Sequence, residues 1–149
     1  MASTTPTFDV PVRRLVLFRL GDRLYGIDLD AVREILPVRR ATRVPGAPAY
    51  VAGLINVRGT IVTVLDLGSR LDGNSSLASD GSVILVEHRQ KLVGIAVAEV
   101  NDVMMLPAES IEHATDRDGD DTSIVGLGRM DDKVVIILDI HSIIKHVLL

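Results

Sequence analysis

Apolar residues fall in short runs separated by polar turns, and the runs occur twice in the same order. Leu15, Leu17, Leu24, Gly26, Ile27, Leu29, Val32 and Ile35 open a first copy. Val83, Leu85, Leu92, Gly94, Ile95, Val97, Val100 and Val103 open a second, each 68 residues further on. A later block, Gly53-Leu54 with Ile61 to Leu67, returns as Gly126-Leu127 with Val134 to Ile140 at an offset of 73. Self-similarity at a fixed offset means one supersecondary unit used twice. It also supplies an internal control. What both copies keep serves the fold, and what one copy alone carries asks for another reason.

The runs predict strands. Arg14 to Leu20 and Leu24 to Leu29, around Gly21-Asp22-Arg23, form a hairpin pattern. Val83 to Glu87 and Leu92 to Val97, around His88 to Lys91, repeat it. Gly53 to Leu67 predicts a second hairpin turning at Arg58-Gly59, matched by Gly126 to Ile140 turning at Asp131-Asp132. Gly59 and Asp132 are the residues there that tolerate positive φ. Asp30 to Leu36 sets apolar residues at helical spacing behind a capping Asp, predicting one or two helical turns ended by Pro37. Arg39 to Ala49 is a connection, Asp72 to Ser76 a loop between the copies, and Thr115 to Thr122 an acidic loop. Ile140, Ile143, Ile144, Val147 and Leu148 make the stripe of an amphipathic helix lying against a barrel. Four or five short strands per copy point to a small antiparallel barrel used twice. The copies span about 13–72 and 82–147 of a domain running from 12 to 147. Met1 to Pro11, small and polar, reads as a flexible tail and not as a signal peptide.

Composition narrows the chemistry. Of 149 residues 47% are apolar, enough for a packed interior, and no cysteine is present. Disulfides, thiolate metal sites and thiol nucleophiles are thereby excluded. No run approaches the about 18 apolar residues of a membrane span. The net charge of −4 is uneven: residues 1–72 hold ten Lys/Arg against seven Asp/Glu, and residues 73–149 hold six against thirteen. The first copy thus presents Arg33, Arg39, Arg40, Arg43 and Arg58, a bias that steers the approach of partners.

Candidate reactive groups do not assemble. Asp116-Arg117-Asp118-Gly119-Asp120-Asp121 fits the first, third and fifth positions of an EF-hand loop, but Asp121 replaces the glycine and Leu127 the final glutamate. His88, His113, His141 and His146 form no zinc motif, and His141 and His146 lie five apart, off a shared helical face. Gly126-Leu127-Gly128 precedes a strand, so it is no dinucleotide fingerprint. There is no phosphate loop and no G-x-S-x-G elbow. No catalytic, metal or cofactor residues are assigned, and a non-catalytic protein is expected. Nucleic-acid binding wants a basic groove and stacking aromatics. This chain is acidic with two Phe and two Tyr.

The internal control singles out Arg58. A tight turn does not need arginine, and the second copy has Asp131 there. An exposed guanidinium suits a bidentate carboxylate contact. Alternation puts Ile55 and Val57 on one face and Asn56 and Arg58 on the other, with Arg129 opposite Asn56 in the second copy.

Gly53 to Leu67, read as GLINVRGTIVTVLDL, closely resembles the signature of the CheW family of chemotaxis coupling proteins. Gly26-Ile27-Asp28, Val32 to Ile35, Val93 to Val97 and Gly126 to Gly128 match in order, and the likeness covers roughly Val12 to Val147. Thr63 stands where the family often has proline. The resemblance implies a mainly β fold of two intertwined five-stranded SH3-like barrels with short helices. It implies a cytoplasmic adaptor at membrane-associated receptor arrays, joining the tip of a methyl-accepting chemoreceptor to the regulatory domain of the histidine kinase CheA. A scaffold in a non-flagellar pathway is the alternative. The implied receptor contacts are Val32, Glu34, Gly53 and Arg58, with Asn56 beside them. Val32 and Gly53 keep a packing alternative, because Val100 and Gly126 are their counterparts.

Overall fold

The computed structural model describes residues 11–72, 75, 80–113 and 123–148. The acidic loop, residues 1–10 of the expected tail and most of the loop after Asp72 lie outside them.

The first copy runs β1 (Val12–Leu20), β2 (Arg23–Asp28), a 3-10 turn (Leu29–Ala31), β3 (Val32–Pro37), β4 (Val51–Val57), β5 (Thr60–Asp66) and α1 (Leu67–Asp72). The second runs β6 (Ser82–His88), β7 (Lys91–Val97), β8 (Glu99–Pro107), a 3-10 turn (Ala108–Ser110), β9 (Glu112–His113), β10 (Ile124–Met130), β11 (Lys133–Leu138) and α2 (Ile140–Leu148). The strands form two sheets, ordered β8-β1-β2-β11-β10-β9 and β3-β6-β7-β5-β4. Each sheet therefore takes its first hairpin from the opposite copy. Hairpin β1–β2 joins the strands of the second copy, and β6–β7 joins those of the first. The barrels are intertwined by this exchange.

The two sheets follow one plan. Glu34 faces Leu85 in one, and Asp102 faces Leu17 in the other. Irregularities recur at matching places, between Val32 and Glu34 and opposite Val100 and Asp102. They recur again between Val51 and Gly53 and between Ile124 and Gly126. The sixth strand of the first sheet, β9, has as its counterpart the single bridge Thr42–Leu54.

Alternation along the exchanged strands builds three apolar clusters. Leu15 and Leu17 of β1 point into one barrel with Val135 and Ile137. Val83 and Leu85 of β6 fill the other with Val62 and Val64. The intervening residues, Val16, Phe18, Ile84 and Val86, meet between the barrels together with Ile140, Ile143 and Ile144 of α2. Strands buried on both faces read as continuous apolar runs. The helix α2 thus seals the seam between barrels, as its stripe predicted for Ile140, Ile143 and Ile144. Asp66 and Asp139, repeated in both copies, accept the backbone N–H of Ser69 and Ser142 and so cap α1 and α2.

One element differs from expectation. Asp30 to Leu36 carries only the end of a 3-10 turn and then strand β3. The irregularity between Val32 and Glu34 inserts a residue into the period of two. Val32, Ile35 and Leu36 acquire helical spacing through that insertion, while pairing with β6 decides the conformation.

Candidate partner-binding rim

Strand β3 and hairpin β4–β5 bring Glu34, Asn56 and Arg58 to one rim of the second barrel. Ile55 and Val57 are buried, which turns Asn56 and Arg58 outward. The turn between the strands is tight, with φ of +50° at Arg58 and +91° at Gly59. Left-handed backbone disfavours a Cβ-bearing residue by roughly 1–2 kcal/mol, outside Asn and Asp. In the second copy the positive φ falls on Asp131, at +55°, and not on Asp132. The turn thus strains the one position where the first copy carries arginine. Asn56 steadies it, its Oδ1 accepting the N–H of Gly59 at 2.9 Å.

Arg58 donates from Nη1 to Glu34 Oε2 at 3.3 Å and from Nη2 to Oε1, a two-pronged ion pair. The guanidinium stays 67% exposed and the carboxylate 36%. The hydrogen bond from Arg58, with the charges of Arg58 and Arg39, holds the Glu34 carboxyl below its usual range against some desolvation. The same bond raises Arg58. The pair is therefore fully charged at neutral pH. Exposed ion pairs contribute little to stability, so its effect is to fix the direction of the guanidinium. Arg39 adds a second cation, donating to the Asn56 carbonyl at 3.0 Å.

Two other expected contacts sit elsewhere. Val32 is half-buried and packs on the core between the barrels. Gly53 is buried at φ +144°, and a Cβ there would lie 2.4 Å from the Thr42 carbonyl oxygen. Gly126 meets Glu112 O at the same 2.4 Å. Both glycines admit the closing backbone of their barrels. Arg39 belongs to the rim although no motif marked it, while Ile35, 42% exposed, follows Glu34 on the other face of β3, across from Ile84.

The second copy lacks this arrangement. Asp102 and Asp131 stand at the positions of Glu34 and Arg58, and the Asp102 carboxylate accepts the N–H of Val103. Its ion pair is a different one, Arg129 with Glu112 at 2.7 Å. Among the described residues no three His, Asp or Glu side chains converge on a metal position, and no helix is long and apolar enough to cross a membrane.

Two exchanged barrels locked through a common core, with one preset charged rim, define a β-barrel scaffold. Residues 14–148 match the CheW-like domain, so the chain belongs to the CheW family. It is 31% identical over 136 residues to the chemotaxis protein CheW of Klebsiella aerogenes, covering 89% of this chain and 82% of that one. Protein PilI of Pseudomonas aeruginosa is 33% identical over 94 residues, covering 62% and 53%. The crystal structure of the scaffolding protein TtCheW from Thermoanaerobacter tengcongensis superposes with a TM-score of 0.78 at 32% identity, covering 87% and 90%. The family is one of non-catalytic scaffolds, and the chain is an adaptor of the chemotaxis coupling class.

Proposed function

We propose that this adaptor joins the cytoplasmic tip of a methyl-accepting chemoreceptor to the regulatory domain of the histidine kinase CheA, and that Arg58 is its principal receptor contact. The observation that carries the site is the conformation of Arg58. An arginine occupies left-handed backbone at an exposed tip, aimed by Glu34, where the sister turn has aspartate. Strain of this kind persists where the side chain has a task. Ile35, 42% exposed and next to Glu34 along β3, supplies apolar area near the charges. Glu34 and Asn56 orient the contact, while Val32 and Gly53 act through the backbone and packing beneath it. The protein works in the cytoplasm at membrane-associated receptor arrays, where multivalency multiplies modest affinities. It needs no catalytic group, cofactor or nucleic acid.

Binding of a receptor-tip fragment tests the site. Arg58→Glu is expected to weaken it by about tenfold or more, while the melting temperature moves by no more than about 3 °C. Glu34→Arg added to Arg58→Glu restores an ion pair with its charges exchanged. Affinity should remain low, because the partner meets the guanidinium from the wrong side. Full recovery by the exchange would show that the pair acts only within the chain.

A second reading places the same adaptor in a non-flagellar chemosensory pathway. The likeness to PilI, a relative not named for chemotaxis, favours it. Loss of surface motility or of gene regulation, with swimming intact, in a strain lacking the protein would establish that reading.

A further inference from the structure

Past the β4–β5 turn and next to the rim, the barrel that carries Arg58 has an open groove of about 850 Å³ between strand β5, the β6–β7 turn and helix α2. None of Val32, Glu34, Gly53, Asn56 or Arg58 lines it. Its floor is apolar: Ile61, Leu92, Val93 and Ile144. Its edges carry Arg89, Lys91 and Lys145, with His88 beside them and no carboxylate in the lining. No ion pair joins Arg89, Lys91 or Lys145 to an acid among the described residues.

The duplication again provides the control. The other barrel has a groove of about 810 Å³ that shares the strand and turn walls, β11 and the β1–β2 turn, but is closed by β8 in place of a helix; it is lined by Arg19, Arg23 and Lys133 and also by Asp22 and Asp102. Its Arg19 is already paired with Glu99 at 2.7 Å. On the walls the two grooves share, Asp22 stands where this one has Gln90, so the turn accepts a carboxylate there and only this groove has a wholly basic edge. The turn that supplies Arg89 is strained as well. Arg89 and Gln90 have φ of +52° and +69°, whereas the sister turn places glycine, Gly21 at +62°, at the position of Arg89.

We propose that this groove docks a protein segment in which carboxylates alternate with aliphatic side chains. The aliphatic groups cover Ile61, Leu92 and Ile144, and the carboxylates meet Arg89, Lys91 and Lys145. Burial of the floor supplies affinity, and the fixed positive edge selects against neutral or basic segments.

The groove is also linked to a proton. His88 Nδ1 lies 2.9 Å from His141 Nδ1 at the start of α2. The ring centroids are 5.1 Å apart with planes at 27°. That separation nearly equals the Nδ1 distance plus the two ring radii, so the rings meet edge to edge, nitrogen facing nitrogen. One proton fits between the nitrogens and a second does not. Arg89, Lys91 and Lys145 add positive charge from the turn and from α2. Glu87 does not offset it, being bonded to Arg33 at 2.6 Å, and Asp139 is engaged with the Ser142 N–H. Desolvation, then His141 and Arg89, lower the proton affinity of His88. A bound carboxylate reverses this balance. Docking therefore takes up a proton, and it tightens as pH falls toward the lowered range in which free His88 titrates.

The probe is a fluorescein-labelled ten-residue peptide alternating Glu and Leu, followed by anisotropy at low salt with the full chain. Saturable binding is expected, weakened about tenfold by Lys91→Glu with Lys145→Glu. Arg23→Glu with Lys133→Glu in the opposite groove should leave it unchanged. Between about pH 7.5 and 5.5 affinity should rise, and His88→Gln should flatten that rise while keeping the affinity at the higher pH. Melting temperatures of each variant separate lost binding from lost fold, and Lys91→Gln with Lys145→Gln replaces the reversal if it unfolds. No saturable binding, equal loss from the two double reversals, or tighter binding of a single-stranded oligonucleotide of the same charge would overturn the proposal. These outcomes are independent of receptor binding through Arg58.

Discussion

Gly53→Ala is expected to destabilise the protein by about 2–4 kcal/mol. Two costs coincide at this position. The backbone sits at φ +144°, which L side chains rarely adopt, and the new Cβ would lie 2.4 Å from Thr42 O and 2.9 Å from Thr42 C. The obstacle is backbone, so no rotamer change relieves it. Thr42 and Leu54 exchange two hydrogen bonds of 2.8 Å, the backbone bridge that ties β4 to the preceding connection, and both would be pushed apart. Urea denaturation measures the change. A receptor-tip assay at a temperature where the variant remains folded then shows whether any binding defect follows from stability. An unchanged denaturation midpoint with binding lost would place Gly53 at the partner surface and contradict the packing account. Gly126→Ala, facing Glu112 O at 2.4 Å, should behave alike in the other barrel.

The pair of glycines also shows what the sequence makes legible. The constant offsets of 68 and 73 residues disclose a duplicated barrel, and the equal treatment of Gly53 and Gly126 discloses a backbone role, because both are local properties of each copy. The hairpin exchange is different. Whether β2 leads back into its own barrel or crosses to the other depends on Leu29–Ala31, a short turn compatible with either route. The resemblance to the CheW family supplied the intertwining that periodicity leaves open. The strand at Val32–Pro37 was obscured because its irregularity mimics helical spacing. Arg58 was marked by contrast with Asp131, yet its ion pair with Glu34 spans 24 residues of sequence, and only the register of β3 against β6 brings the two together. The basic groove was hidden for the same reason. Arg89, Lys91 and Lys145 come from two distant elements, and the net acidity of the second copy conceals them.

Phe18→Ala is expected to cost about 3–5 kcal/mol and to lower the stability of both barrels at once. Phe18 is fully buried and stacks on Tyr25, centroids 5.9 Å apart and planes at 14°, inside the core that the two sheets share. Its neighbours along β1, Leu17 and Leu15, belong to a different cluster inside one barrel. Strand β6 is arranged likewise, with Ile84 and Val86 in the shared core and Leu85 in the other barrel. A cavity between the barrels therefore loosens both strands that carry the separate interiors. The chain cannot yield by releasing one barrel, because each holds a hairpin belonging to the other copy. Urea unfolding should accordingly remain a single transition in the parent and in the variant, shifted to lower midpoint with the same slope. Far-ultraviolet circular dichroism and the near-ultraviolet tyrosine signal should move together. Two resolved transitions in the variant would mean that the barrels are independent bodies. The Arg58 rim would then have no fixed orientation relative to the other barrel, and rigid coupling through the adaptor would fail with it.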